Sequence, residues 1–173
     1  ELKLTVDKVN SFLKSYFKNQ SADNKLYEAM EYGLFSGGKM IRSYLVQSAC
    51  KIFDIDEKKY IPIAAAVECV HSYSLIHDDL PSMDNDDFRR GKESTHKAYG
   101  EYTAILAGSS LLTLAFEMIS DPKFEIDQDI KIKIIHALSS SSGHLGIAGG
   151  QFFDLSLKKS EVDKETIIDM QNK

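Results

Sequence analysis

An all-α fold is what this sequence predicts. Three observations carry that expectation: long stretches free of helix breakers, apolar residues at helical spacing within them, and no alternating apolar and polar run of useful length. Only three prolines occur in 173 residues (Pro62, Pro81 and Pro122), and the glycines gather at 37–38 and 143–150 with a few isolated points. Leu2, Val6, Val9, Leu13 and Phe17 predict a first helix over 2–18, and Leu26, Met30 and Leu34 repeat the pattern up to the Gly37-Gly38 break. Further helices are expected over 41–53 and about 59–80. In the second of these, Ile63, Val67, Val70 and Ser74 mark one face, and Pro62 is placed in the first turn, where its missing N–H is no loss. Ala104 to Ile119 reads as an apolar helix ended near Asp121-Pro122. Ile130 to Leu138, Gly146 to Leu157 and Val162 to Met170 supply at least two more helices. With no repeat and no linker, residues 1–173 are expected to form a single domain.

Composition narrows the class. The chain is 43% apolar and 27% charged, the balance of a soluble globular protein, and a domain this long buries roughly two thirds of its unfolded surface without staples. Cys50 and Cys69 are the only cysteines, each within an apolar stretch, so reduced buried thiols are expected and a disulfide scaffold is excluded. No apolar run is read as approaching the roughly 20 residues of a membrane span, and residues 1–10 lack the pattern of an export signal, so a cytoplasmic location is expected. A net charge of −5 argues against a nucleic-acid partner, because no general phosphate-binding field exists.

The distribution of charge is more informative than its sum. Between Asp78 and Asp87 five of ten positions are aspartate, and Arg89, Arg90 and Lys92 follow at once. Asp78 and Asp79 close an apolar helix, whose C-terminus carries partial negative charge; each exposed Asp there is unfavourable by a few tenths to about 1 kcal/mol. A hard divalent cation reverses that sign. On an unbroken helix residues 78 and 84 would face about 240° apart. Pro81 gives the helix a reason to end or bend between them, after which both carboxylates can face one ion. Oxygen ligands with positions left for water and phosphate suit Mg²⁺. The same residues also fit a solvated Asp-rich loop begun at a proline turn.

Cationic groups balance this patch. Gly37-Gly38-Lys39 and Arg42 stand at a helix junction, where glycines let backbone approach an anion and two long cationic chains can close on it. Arg89 and Arg90 offer guanidiniums to diphosphate oxygens. His71 lies seven positions before Asp78, two turns away on the same helix face. Gln151 and Asp154, three apart after Gly149-Gly150, can share a cleft. Each piece alone has a plainer reading: a turn, surface arginines, a core or surface histidine, a helix cap with a solvent aspartate. Together they describe metal-bridging carboxylates beside separate cationic clamps, as two diphosphates require.

These residues resemble a known family. Gly37-Gly38-Lys39 with Arg42, then Ile76-His77-Asp78-Asp79-Leu80-Pro81-Ser82-Met83-Asp84 running into Arg89-Arg90-Gly91, then Leu106-Ala107-Gly108, Leu111-Leu112 and Gly149-Gly150-Gln151 with Asp154-Leu155, look like the trans-isoprenyl diphosphate synthases of bacterial farnesyl diphosphate synthase type. The resemblance runs from about residue 26 to the end. It implies an isoprenoid-synthase-like helical bundle and a prenyltransferase that joins isopentenyl diphosphate to dimethylallyl or geranyl diphosphate, giving farnesyl diphosphate. It also implies a homodimer. Carried over by position, Asp78 and Asp84 resemble ligands of Mg²⁺ bridging to the allylic diphosphate, with Asp79 close by. Arg89 and Lys173 would contact that diphosphate; Gly38, Lys39, Arg42, His71 and Arg90 would hold isopentenyl diphosphate; Gln151 and Asp154 match the allylic side. Tyr73, with Ser74 beside it, is the chain-length candidate, since its ring stands about 7.5 Å from Asp78 along the helix and could floor the prenyl pocket. Simple core packing is the other reading of Tyr73.

Three departures qualify the match. The family's second aspartate-rich motif has no counterpart between Asp154 and Lys173, so the bundle is expected to lack its C-terminal part. Ser109 and Ser110 follow Gly108 where the family typically has Gly-Asp. Met40 and Ser43 flank Ile41 and Arg42 where the family usually has arginine and proline. The first departure leaves a second function open, a catalytically impaired synthase-like subunit that binds and modulates a partner. The His77-Asp78 doublet also suggests a helical metal-dependent phosphohydrolase, but such a site needs ligands from separate helices, and His71 lies on the same one.

Overall fold

The computed structural model describes residues 1–19, 24–156 and 164–171. The chain divides into two compact units, Glu1–Asp127 and Gln128–Lys173. The first contains α1 (Leu2–Asn19), α2 (Lys25–Leu34), α3 (Ile41–Ile52), α4 (Glu57–Asp78), a hairpin of β1 (Phe88–Arg89) and β2 (Lys92–Glu93), α5 (Thr95–Tyr99) and α6 (Glu101–Ser120).

Helix α4 is the centre of this unit, packed against α1, α2, α3 and α6. Its composition explains why. Ala64, Ala65 and Ala66 are all fully buried, and three consecutive buried residues on a helix point in three directions, so neighbours surround it. Cys69, Val70 and Ile76 extend the core toward its C-terminus. Helix α6 answers with Ala104, Ala107, Leu111, Leu114, Ala115 and Met118, a buried stripe at helical spacing whose small members let the two backbones approach. From α1, Val9, Leu13 and Phe17 enter the core as their spacing predicts. Thr5 on α1 also donates to Gln47 Oε1 on α3 at 2.7 Å, a buried polar tie.

Local signals set the helix ends. The Asn24 side chain accepts from Tyr27 N–H at 3.0 Å to start α2, and Asp56 accepts from Lys58 N–H at 2.8 Å to start α4. Because Asp56 is the cap, α4 begins two residues before the expected 59 and ends at Asp78. Pro62 therefore sits inside the helix and not in its first turn, and it cannot donate to the carbonyl of Lys58. Cys69 is buried as expected, whereas Cys50 is only half-buried; both are free thiols.

Two other expectations need correction. The hairpin and α5 were not foreseen, because two-residue strands and a five-residue helix are too short to show a period. Arg90 and Gly91 both have positive φ (55° and 78°), the backbone of a tight two-residue hairpin turn, with Arg89 paired to Lys92 and Phe88 to Glu93. Also, α6 spans 20 residues and is apolar enough to cross a membrane by length and composition. Half of its apolar window is buried within the protein, as a core helix requires.

The second unit holds α7 (Gln128–Ser142), α8 (Ile147–Ser156) and α9 (Lys164–Gln171), with α8 touching both others. At least two helices are expected after Pro122, and three are present among the described residues.

Leu111 is fully buried in α6. Leu111→Ala is expected to destabilise the first unit by about 2–5 kcal/mol, through lost transfer energy and the cavity left behind. The check is urea unfolding, where the midpoint falls at unchanged slope; an unchanged midpoint would place Leu111 outside the cooperative core.

Candidate functional site

The acidic segment is built as a tight return onto the end of α4. Leu80 N–H bonds the His77 carbonyl at 3.2 Å, and Met83 and Asn85 N–H groups both bond the Leu80 carbonyl. Asp84 N–H then donates to the Asp78 carbonyl at 2.9 Å, satisfying one of the carbonyls that a helix end leaves over. Leu80 anchors the turn by burial. This is the end or bend expected at Pro81, and it returns the chain from Asp84 to the backbone of Asp78.

The carboxylates differ in environment. Asp79 is 2% exposed, Asp78 is half-buried and Asp84 is exposed. Arg89, on β1, donates to Asp79 Oδ1 from Nε at 2.7 Å and approaches it from Nη2 at 2.5 Å. Its Nη2 also lies 3.8 Å from Asp78 and 3.7 Å from Asp86. The hydrogen bond to Asp79, reinforced by all three carboxylates, raises the pKa of Arg89 further against partial desolvation. Among the described residues no three His, Cys, Asp or Glu side chains form a metal-holding group. Magnesium needs only one or two protein carboxylates when waters and phosphate oxygens complete its shell, so the hard oxygens of Asp78 and Asp84 fit it while Asp79 is committed to arginine.

The cationic side comes from three elements. Gly37 and Gly38 (φ 94° and 127°) and Met40 (φ 43°) shape the 37–40 segment that enters α3. Arg90 donates to the Gly37 carbonyl, and a Cβ on Gly38 would stand 2.7 Å from Arg90 Cζ, so a larger residue would push the guanidinium aside, while the φ of 127° itself favours glycine. Arg42 Nη1 lies 3.3 Å from His71 Nε2 on α4, which makes that nitrogen the acceptor and the imidazole neutral. Burial, followed by the fields of Arg42, Arg90 and Arg89, lowers His71 to about 4. Gly38, Arg42, His71 and Arg90 are thus brought together, and Lys39 is exposed on the same segment.

Two contributors were missed by the sequence reading. Glu68 on α4 is buried and accepts from Ser43 N–H at 3.0 Å. The available signal was a carboxylate flanked by Val67, Cys69 and Val70. His77 Nε2 lies 3.0 Å from the Ile105 carbonyl, and a Cβ on Gly108 would sit 2.5 Å from its Cδ2, so this glycine makes the slot for the imidazole that precedes Asp78. The Tyr73 ring meets the His77 ring edge-on at 4.9 Å, and Ser74 Oγ donates to the His71 carbonyl at 2.8 Å. Ser109 Oγ donates to Ile105 at 2.9 Å, within its own helix.

Gln151 (half-buried) and Asp154 (exposed) lie on α8 in the second unit, three residues apart on one flank of the helix. Lys173 lies outside the described residues.

The comparisons agree with the motifs. A farnesyl diphosphate synthase of Geobacillus stearothermophilus is 44% identical over 148 residues, covering 85% of this chain and 50% of that protein. The farnesyl diphosphate synthase of Escherichia coli is 40% identical over 169 residues, covering 96% and 56%. A solved geranyltransferase of Legionella pneumophila superposes with a TM-score of 0.93 at 40% identity, covering 98% of this chain and 60% of its own. The chain spans about half the length of the curated relatives it matches. The polyprenyl synthetase family model matches residues 23–173, from the residues ahead of α2 through the acidic turn and both arginines, and the chain belongs to that family.

Proposed function

We propose that the protein condenses isopentenyl diphosphate with dimethylallyl or geranyl diphosphate to give farnesyl diphosphate, in a magnesium-dependent reaction and as a homodimer. One observation carries the reading: Arg89 stands where an acidic turn and a cluster of diphosphate-suited cations meet, at the ends of α3, α4 and the hairpin. The names of the similar farnesyl diphosphate synthases support it.

Asp78 and Asp84 would hold the ion, which when bound supplies positive charge beside the departing diphosphate. Arg89, held by Asp79, would present its remaining donors to that group, stabilising charge as the allylic C–O bond breaks and its electron pair leaves with the diphosphate. Arg42, Lys39 and Arg90 would orient isopentenyl diphosphate so that its double bond attacks the allylic cation, forming the new C–C bond before a proton passes to the released diphosphate. Orientation of this kind turns a bimolecular encounter into a local one. Neutral His71 would steady Arg42 by accepting its N–H and add no competing positive charge. Gln151, Asp154 and Lys173 are assigned to the allylic side on sequence resemblance. Tyr73 would floor the prenyl pocket.

Turnover of geranyl and isopentenyl diphosphates by the full chain is expected to require Mg²⁺ and to stop with EDTA. Asp78→Ala or Asp84→Ala should each lower kcat by about 100-fold or more. Metal-independent turnover, or wild-type rates in both variants, would remove the reading. Tyr73→Ala should shift the product mixture to chains longer than fifteen carbons, seen by chromatography; an unchanged mixture assigns Tyr73 to packing alone.

His71 adds a pH signature. Its folded value of about 4 lies below the ordinary 6.5, so between these the unfolded state binds the proton more readily. The stabilisation from neutral His71 is therefore complete above about pH 6.5 and is lost as pH falls through about 4. Urea midpoints measured from pH 7 to 4 should fall less steeply in His71→Gln than in the wild type; equal slopes would contradict the assignment.

A further inference from the structure

Glu68 is a buried carboxylate to which the proposed reaction gives no role. It is 4% exposed at the middle of α4, where an unpartnered charge would be strongly unfavourable. Its partner is the start of α3. The N-cap of that helix is Met40, which offers no side-chain acceptor and itself adopts a left-handed backbone unfavourable for a residue with a Cβ. Glu68 supplies the missing acceptor from the neighbouring helix, taking the Ser43 N–H at 3.0 Å. Ser43 Oγ lies 3.0 Å from both Glu68 Oε1 and the Ala64 carbonyl, so its one hydrogen can serve either. A carboxylate at a helix N-terminus is also favoured by the helix dipole.

Ser43 is one of this chain's departures from the resembled family, which usually has proline here and so no N–H to give. Three residues after Glu68 on α4, His71 engages Arg42, the residue adjacent to Ser43. One flank of α4 therefore grips consecutive residues of α3.

We infer that Glu68 is a positioning residue: by capping α3 in trans it holds the 37–42 segment, with Gly38, Lys39 and Arg42, in the shape that grips isopentenyl diphosphate. The inference rests on the diphosphate reading above. Because Gly37, Gly38 and Met40 all have positive φ, that segment has little regular structure of its own to maintain its form.

The test is calorimetry on the full chain with two probes, isopentenyl diphosphate alone and inorganic pyrophosphate with Mg²⁺. Glu68→Ala and Glu68→Leu should each weaken isopentenyl diphosphate binding about tenfold, the scale of one charge-assisted hydrogen bond. Uptake of magnesium pyrophosphate at Asp78 and Asp84 should stay within about twofold, a selectivity that a general fold defect would not produce. Glu68→Gln keeps an acceptor oxygen and should recover most of the affinity. If Glu68→Ala does not fold, as thermal melting will report, Glu68→Leu decides, since it keeps the core filled while offering no acceptor. Folded variants that bind isopentenyl diphosphate as tightly as wild type, or that lose both probes in parallel, overturn the inference. A wild-type chain that binds neither probe overturns the proposed function and this inference with it.

Discussion

The first unit depends on how it accommodates negative charge at the end of its central helix. Five aspartates lie at or just beyond the C-terminus of α4, where the helix dipole already disfavours anions. Arg89 offsets this, with two nitrogens on buried Asp79 and one of them within 4 Å of Asp78 and Asp86. An ion pair between partly exposed groups is worth little; here the carboxylate is sealed from water and the guanidinium is directed at one oxygen. The tight Arg90-Gly91 turn makes this possible by fixing where the arginines leave the backbone. Arg89 and Arg90, adjacent in sequence, then serve opposite sides, one at the acidic turn and the other at the Gly37 carbonyl.

Close packing of α4 on α6 sets the register of that helix end. His77, directly before the acidic pair, is locked by the Ile105 carbonyl and by the space over Gly108. Any larger residue at 108 would displace the imidazole, and the displacement would pass to Asp78 through one peptide bond. A glycine in mid-helix is unfavourable by about 1 kcal/mol relative to alanine, so its presence is best explained by this contact. Packing and chemistry are thus joined at neighbouring residues, and α4 serves as core element and site scaffold together.

The histidine within the cationic cluster illustrates a second constraint. Four positive groups cannot share a small volume unless one gives up its charge, and His71 is the one able to do so near neutrality. Its neutral state leaves a lone pair for Arg42. Burial is the larger cause, and the surrounding arginines act in the same direction.

Helix periodicity and breakers were enough to place α1 to α4 and α6 to within a few residues, because apolar spacing, the Gly37-Gly38 break and Pro122 all act through local backbone physics. The acidic motif, the two arginines and Gly38 with Arg42 were legible for a related reason: their residue types are chemically costly unless matched by ligands or opposite charge. The hairpin, α5, the true position of Pro62 and the partners of Glu68 and His77 were not. A two-residue strand has no measurable period, and a buried glutamate in an apolar helix does not announce which N–H it will meet. Local sequence determined where helices form and which charges need partners. Only the packing of α3, the hairpin and α6 around α4 decided that Asp79 goes to Arg89, Ser43 to Glu68 and His77 to Gly108, because those pairings join residues 10 to 31 positions apart and depend on interhelical distance, which no local pattern encodes.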